Sequence, residues 1–126
     1  ICSSAAEFIA FLMDHDARHY VGVDRTLERS PHGMVTFAHR ASDFAAFAHR
    51  EFVNECLWKR ESMNSFIYTC WPTKHLHALD QKPDVVRAEV WQAYKVTENE
   101  QGTESVVQFV YHLRQTNCTF EHKYFQ

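Results

Sequence analysis

The stretch that decides the fold is "VVRAEVWQAYKVTENEQGTESVVQFVYHLRQ", residues 85–115. Two runs of alternating apolar and polar residues flank the turn-forming segment "ENEQG", and this pattern predicts a hairpin of two long β-strands. One face of the hairpin is apolar and comprises Val86, Ala88, Val90, Tyr94, Val96, Val107, Phe109, Tyr111 and Leu113. Because side chains alternate along a strand, the other face is more polar, as in an antiparallel sheet that is covered on one side.

Further strands are predicted on both sides of this hairpin. "YVGVDRTLE" (20–28) and "GMVTFAHR" (33–40) flank the turn-rich segment "RSPHG", and "SFIYTCW" (65–71) stops at Pro72. "CTFEHKYF" (118–125) supplies a last alternating strand. The second half of the chain is therefore predicted to be mostly extended.

The first half is predicted to be mostly helical. A first helix runs from Ser3 or Ser4 to about Tyr20, and Glu7 completes a capping-box pattern with Ser4. A second helix covers about residues 42–60, which include "DFAAFAHREFVNECLWKR". Together the elements predict a single α+β domain in which helices pack over a curved antiparallel sheet and close on an internal cavity.

Length and composition exclude several classes of protein. The chain has 126 residues, of which 45% are hydrophobic, and this is enough for the core of one domain. A net charge of −3 gives no basic surface for nucleic acid, and no apolar run approaches the roughly 18 residues of a membrane span. Widely spaced cysteines predict free thiols in the cytoplasm, although a glycosylation sequon at Asn117 and the absence of an initial methionine leave secretion open. These cysteines are Cys2, Cys56, Cys70 and Cys118.

The predicted inward face of the first helix carries polar residues. At about 100° per residue, His15 and His19 continue the apolar stripe of Phe8 and Leu12, and Asp16 lies at its border. A His–Asp pair beside an apolar cavity can act as a general acid and base, because imidazole titrates near neutral pH.

The second predicted helix repeats this pattern, because Glu51 falls inside an arc of phenylalanines. A buried carboxylate requires a partner and has a shifted pKa. The two helices together favour a polar-lined pocket over the alternative that these groups are satisfied within the core or at its rim. The predicted catalytic residues are His15, Asp16, His19 and Glu51, and the predicted substrate-binding residues are Phe8, Leu12, Tyr94, Phe109 and Tyr111.

A metal site is the alternative chemistry for the histidines. His15 and His19 have the i, i+4 spacing of two ligands on one helix, and His75 or His77 could add a third. The glutamate of an HExxH motif is missing, so no metal is expected. No nucleophile elbow, phosphate-binding loop or dinucleotide fingerprint is present, so no cofactor is expected either.

The order of elements, together with "HGMVTFAHRASDFAAFAHREF" (32–52), resembles the nuclear-transport-factor-two-like superfamily, which includes the SnoaL-like cyclases and scytalone dehydratase. Ala38, His39 and Arg40 stand where that family usually has a Gly-Arg pair. The resemblance implies a cone-shaped α+β fold whose open end holds a small hydrophobic ligand. It also implies either a cofactor-independent isomerase, cyclase or dehydratase, or a non-catalytic binding or dimerisation module.

The cavity separates these two hypotheses. An enzyme should have a pocket of several hundred cubic ångströms with His15 or Glu51 at its wall, whereas a binding module should have a filled core and apolar surface outside. Trp91, on the more polar face of its strand, predicts a homodimer through the outer face of the sheet. The alternative is that Trp91 covers the stems of Arg87 or Lys95.

Overall fold

A six-stranded sheet dominates the structure, a computed structural model that describes residues 1–14, 23–40, 49–78 and 85–115. The strands pair in chain order, and every consecutive pair is antiparallel. Their bounds are β1 Val23–Ser30, β2 Gly33–Arg40, β3 His49–Ser62, β4 Ser65–Pro72, β5 Val85–Glu98 and β6 Ser105–Gln115. One helix, α1 (Ala5–Met13), and a 3-10 turn at Leu76–Ala78 complete the described elements.

The predicted hairpins are confirmed. The strand predicted at residues 33–40 is β2, and the long predicted pair corresponds to β5 and β6. Their register joins Val96 to Val107 and Tyr94 to Phe109, so the apolar residues of both strands share one face. Gly102 closes the connecting turn with a φ of 67°, a backbone conformation that glycine adopts without strain. The strand predicted at 118–125 lies outside the described residues.

The predicted second helix is wrong, since β3 occupies residues 49–62 and pairs with both β2 and β4. The predicted fold class, helices packed over a sheet, is therefore also wrong: within the described residues the molecule is sheet-dominated, with a single nine-residue helix. The physical reason is that β3 is buried on both faces. Val53 and Cys56 point in opposite directions along the strand and are both almost fully buried, so no alternation of apolar and polar residues marks it as a strand.

Helix α1 begins as predicted but is shorter. Ser4 accepts a hydrogen bond from the Glu7 backbone, and the Glu7 side chain accepts one from the Ser4 backbone, which is the capping box read from the sequence. The helix ends at Met13, and the backbone N–H of the C-cap residue Asp14 donates to the carbonyl oxygens of Ala10 and Phe11 in the last turn. It does not reach Tyr20 as one continuous helix, and residues 15–22 lie outside the described part.

Polar contacts at its N-terminus tie α1 to the sheet. The backbone N–H of Ala5 donates to Glu98 Oε2 over 2.9 Å, and Ser105 bonds the backbone of Ile1 and of Ser3. Glu98 and Ser105 flank the β5–β6 turn, so the helix is held to that end of the hairpin. Its buried side packs on the core residues Met34, Cys56, Tyr68, Cys70 and Val96. We call this side of the sheet the inner face.

The opposite, outer face is covered where β4 ends. β4 ends at Pro72, and past this point β3 pairs directly with β5 in parallel. The first residue after β4, Thr73, still donates its backbone N–H to Val53 O of β3 before the chain turns away from the sheet. His75 then lies 3.2 Å from Glu28 of β1, so the connection crosses the outer face of β2 and β3. Val53, whose backbone oxygen accepts the hydrogen bond from Thr73, is almost fully buried on this outer face.

Two cysteines form a disulfide between neighbouring strands. Cys56 of β3 and Cys70 of β4 are register partners, and their Cα atoms are 4.1 Å apart. The prediction of free thiols is wrong for this pair, because the sequence separation alone did not reveal that the two strands are adjacent. Cys2 is free and exposed, and Cys118 lies outside the described residues.

We expect the Glu98→Ala variant to lower the free energy of unfolding by about 1–2 kcal/mol, because the first turn of α1 loses a charge-assisted hydrogen bond and a favourable interaction with the helix dipole. Glu98→Gln should lose less, since an amide oxygen still accepts. Urea denaturation measures both. The control is Glu100→Ala, an exposed carboxylate in the same turn; an equal loss in that variant would contradict a specific role for Glu98.

Candidate functional site

Helix α1 divides the inner face into two flanks. Its buried residues Ala5, Ile9 and Leu12 point at the sheet. At 100° per residue, Phe8 projects from one side of this line and Ala6 from the other. The structure agrees with this geometry, because Phe8 contacts Tyr94 of β5 whereas Ala6 lines a cleft against β3 and β4.

The first flank carries a continuous aromatic surface, which consists of Phe8, Phe11, Tyr94, Phe109 and Tyr111. The Tyr94 and Phe109 rings lie 4.5 Å apart between centroids, Phe109 and Tyr111 5.9 Å, and Phe8 and Tyr94 6.2 Å. Phe109 is 50% exposed and Phe11 57% exposed. Ordinary core packing would bury such rings, so this aromatic surface is suited to contact with an apolar ligand.

Tyr111 adds a polar group to the aromatic surface. Burial raises the pKa of its phenol above the ordinary value of 10.0, and the nearby positive charge of Arg50 acts in the opposite direction. The hydroxyl therefore stays protonated at neutral pH. It makes no hydrogen bond within the described part of the chain, and so it remains able to donate to an acceptor on a ligand.

The second flank of α1 opens into a cleft of about 670 Å³. The cleft is lined by Ala6, His32, Trp58, Lys59, Arg60 and Phe66. The Trp58 ring packs at a tilt against His32, with 4.6 Å between the ring centroids, and its centroid lies 5.9 Å from that of Phe66. In the register of the sheet, Trp58 also begins a cross-strand row that continues through Tyr68 and Tyr94, so the row runs beneath α1 from one flank to the other.

Glu51 lies on the outer face, away from both flanks. It is 7% exposed; one carboxylate oxygen is 3.2 Å from Arg87 Nη2 and the other 3.5 Å from His39 Nδ1. The His39 ring stacks on His49 at 5.5 Å. Glu51 has two register partners, His39 of β2 and Arg87 of β5, because β3 and β5 meet directly where β4 has ended. The expected partner for a buried carboxylate is thus present, but the expected facing helix is not.

The structure brings together most of the predicted substrate-binding residues and separates them from Glu51. Phe8, Tyr94, Phe109 and Tyr111 share the aromatic surface, whereas Leu12 is buried beneath α1 in the core. Glu51 does not line the cleft. The other predicted catalytic residues, His15, Asp16 and His19, lie outside the described residues, and their roles stay predictions.

No feature of the described residues supports a metal site or a homodimer through the outer face of the sheet. Among residues 1–14, 23–40, 49–78 and 85–115, no group of three or more His, Cys, Asp or Glu side chains is placed to hold a metal ion, and His75 contacts Glu28 instead. Trp91 is 36% exposed and packs within its own chain against Arg114 and His112. The homodimer remains a prediction.

No helix of the described part is long and apolar enough to cross a membrane.

The cleft is the feature that the sequence analysis missed. Its residues Trp58 and Arg60 lie in the segment that the sequence predicts as the second helix, and a helix there would exclude their observed pairing with β4. A signal was available: "SFIYTCW" alternates, and a tight turn at residues 63–64 would join it to the preceding segment as a hairpin and bring Trp58 near Tyr68. In the structure, a β-bulge between Arg60 and Ser62 sets the pairing of Trp58 with Tyr68. If residues 49–62 are recognised as a strand, Trp58, Arg60 and Phe66 are all placed at the turn end of the hairpin that β3 forms with β4.

Comparison with known proteins gives a likeness of fold. No family profile and no curated protein matches the sequence. The structure is similar to the crystal structure of a STAR-related lipid transfer protein from Xanthomonas axonopodis, with a TM-score of 0.71, 10% sequence identity and 92% of this chain covered. This chain spans 64% of the length of that protein. At such low identity the likeness shows the fold alone, and the resemblance to the nuclear-transport-factor-two-like superfamily is not confirmed.

The pKa of Tyr111 predicts a late step in the alkaline titration. In the ultraviolet absorbance of tyrosinate, Tyr111 should contribute a step above its ordinary pKa of 10.0, and Tyr111→Phe should remove that contribution from the alkaline titration. Because the folded-state pKa is raised, the stability linked to this proton is complete below pH 10 and declines as the pH rises through the higher folded value. In Arg50→Gln the step should move higher still; a shift to lower pH would contradict the assigned charge effect.

Glu51→Gln should destabilise the fold by roughly 2–4 kcal/mol, because Arg87 and His39 then lose the carboxylate between them in a poorly solvated site. Glu55→Gln is the matched control, since Glu55 lies on the same strand and face without an ion pair in the described part. Urea denaturation compares the two. A Glu51→Gln protein of wild-type stability would show that Glu51 has no structural role.

Proposed function

We propose that this chain binds a small hydrophobic ligand on the aromatic surface of its inner face. The observation that carries the proposal is the chain of ring contacts from Phe8 through Tyr94 and Phe109 to Tyr111, whose outer members remain about half exposed. Burying these rings under an apolar ligand would contribute about 25 cal/mol for each square ångström removed from water.

Tyr111 supports a ligand with one polar acceptor. Its hydroxyl stays protonated over the physiological pH range, and its ring is the last in the series of ring contacts that forms the aromatic surface. A carbonyl or hydroxyl oxygen on an otherwise apolar molecule would satisfy it, and ligand sites commonly combine apolar walls with a few such polar groups. The ligand class is thus a largely apolar molecule with a single hydrogen-bond acceptor.

The likeness to a lipid transfer protein is consistent with this class, since the name of that protein refers to an apolar cargo. For this chain a lipid is a proposal that rests on the aromatic surface. Acid–base catalysis by His15, Asp16 and His19 is a further step that would require those side chains beside the same ligand. Binding is the function that the described residues support best.

The test uses N-phenyl-1-naphthylamine, an uncharged fluorescent probe of apolar sites. We expect Phe109→Ala to weaken its binding by about tenfold, because a large part of the ring's buried area is lost. Val110→Ala is the matched control, because Val110 is the next residue of β6, is 71% exposed and points to the outer face. Equal affinities in Phe109→Ala and the wild type would reject the site.

A further inference from the structure

Strand β6 lies at one edge of the sheet in the described part of the chain. It pairs with β5 along its whole length without a bulge, and on its other side the backbone of Ile1 exchanges two hydrogen bonds of 2.9 Å with Ser105. Backbone groups alternate in direction along an antiparallel strand, so every second residue after Ser105 also points its N–H and C=O away from β5. Within the described residues no hydrogen bond uses these groups, which belong to Val107, Phe109, Tyr111 and Leu113.

The side chains of β6 do not shield this edge. Natural edge strands are kept apart by charged residues, proline or bulges, whereas residues 105–113 contain no Asp, Glu, Lys, Arg or Pro. Val106 is 70% and Val110 71% exposed on the outer face, and Phe109 is half exposed on the inner face. The edge thus combines unpaired backbone groups with apolar side chains on both faces, and the partner that fits it is an extended, apolar strand.

A second copy of β6 is such a strand, and one antiparallel register suits it. Ile1 already occupies the position opposite Ser105, so a partner strand fits from Val106 onward. With the two-fold axis at Val110, residues 106–114 of both copies pair, and the contact is the same on both subunits. The free backbone donors of one copy then lie opposite the free acceptors of the other.

Side chains also match across this register. On the inner face Val107 lies opposite the partner's Leu113, and Phe109 lies opposite the partner's Tyr111. On the outer face Val110 lies opposite the partner's Val110 at the axis. Cross-strand pairs between aromatic residues and between β-branched residues are favourable, so this register buries apolar side chains on both faces of the sheet.

Charges favour the same register. The partner's Arg114 lies opposite Val106 and diagonally across from Glu104, whose carboxylate makes no ion pair within the described part of the chain. Arg114 pairs with Glu89 of its own chain but stays 60% exposed, so its guanidinium can also reach a second carboxylate. No two like charges face each other between residues 106 and 114, so the pairing carries no electrostatic penalty.

We propose that the chain forms a homodimer in which β6 pairs antiparallel with β6 of a second copy, with the two-fold axis at Val110. The two six-stranded sheets then continue into each other. Because Phe109 lies beside the partner's Tyr111, the two aromatic surfaces adjoin at the axis. This dimer uses the edge of the sheet and not the outer face around Trp91, and it does not depend on the proposed function.

Sedimentation equilibrium of the full chain at tens of micromolar tests the dimer, which should have a mass of about 30 kDa, twice the 14.8 kDa of one chain. Val110→Glu sets two carboxylates opposite each other at the axis and should raise the dissociation constant of the dimer by at least about tenfold. Val106→Glu is the matched control, because Val106 is similarly exposed on the same face but lies opposite the partner's Arg114. It should leave the dimer intact. A monomeric wild type, or equal weakening by both substitutions, would overturn the proposal.

Crosslinking through an introduced cysteine tests the register. In a Cys2→Ser, Cys118→Ser background, Val110→Cys should form an intermolecular disulfide under mild oxidation, because position 110 faces itself with Cα atoms about 4.5 Å apart. Val106→Cys should not, since the two copies of that position lie at opposite ends of the paired stretch. A dimer that crosslinks at neither position, as one built on the outer face around Trp91 would, overturns the edge pairing, and so does equal crosslinking at both positions.

Discussion

The hydrogen bond from the first turn of α1 to Glu98 is the contact on which the arrangement of the inner face depends. A nine-residue helix is marginal in isolation, so its position has to come from its caps and from the surface on which it packs. Ser4 and Glu7 start the helix, and Glu98 fixes that start at the end of β5. The helix then crosses the middle of the sheet and buries Tyr68, which leaves the aromatic surface on one side and the cleft on the other.

Those parts of the fold in which one physical signal dominates could be predicted from the sequence. β5 and β6 have one face against the core and one face more polar, so their alternation marks both the strands and the inward residues, including Tyr94 and Phe109. The start of α1 was predictable for a similar reason, because a capping box is local and requires no knowledge of the sheet. The extent of α1 was not, since its last turn depends on tertiary contacts.

β3 could not be identified in this way, because it is buried on both faces. Cys56 is buried under α1 on the inner face and Val53 is buried on the outer face, so apolar residues occur without the period of a half-exposed strand. The segment is also rich in residues that favour helices, with Val53 as its single β-branched residue between positions 49 and 60. Strand pairing with β2 and β4 outweighs that propensity. The incorrect prediction of a helix at β3 also concealed the cleft and placed Glu51 on a helix that does not exist.

The two faces of β3 explain why polar groups on this strand have different consequences. Glu51 lies where β3 and β5 meet directly, and it pairs there with Arg87 and His39 within the sheet. Trp58 lies on the inner face beside α1, next to the β3–β4 turn, and its indole N–H makes no hydrogen bond within the described part of the chain. A polar group that completes its bonds within the sheet contributes to stability, while one left with an unused donor beside an apolar ring is suited to recognition. On this criterion the inner face is the binding side of the molecule and the outer-face cluster around Glu51 is part of its framework.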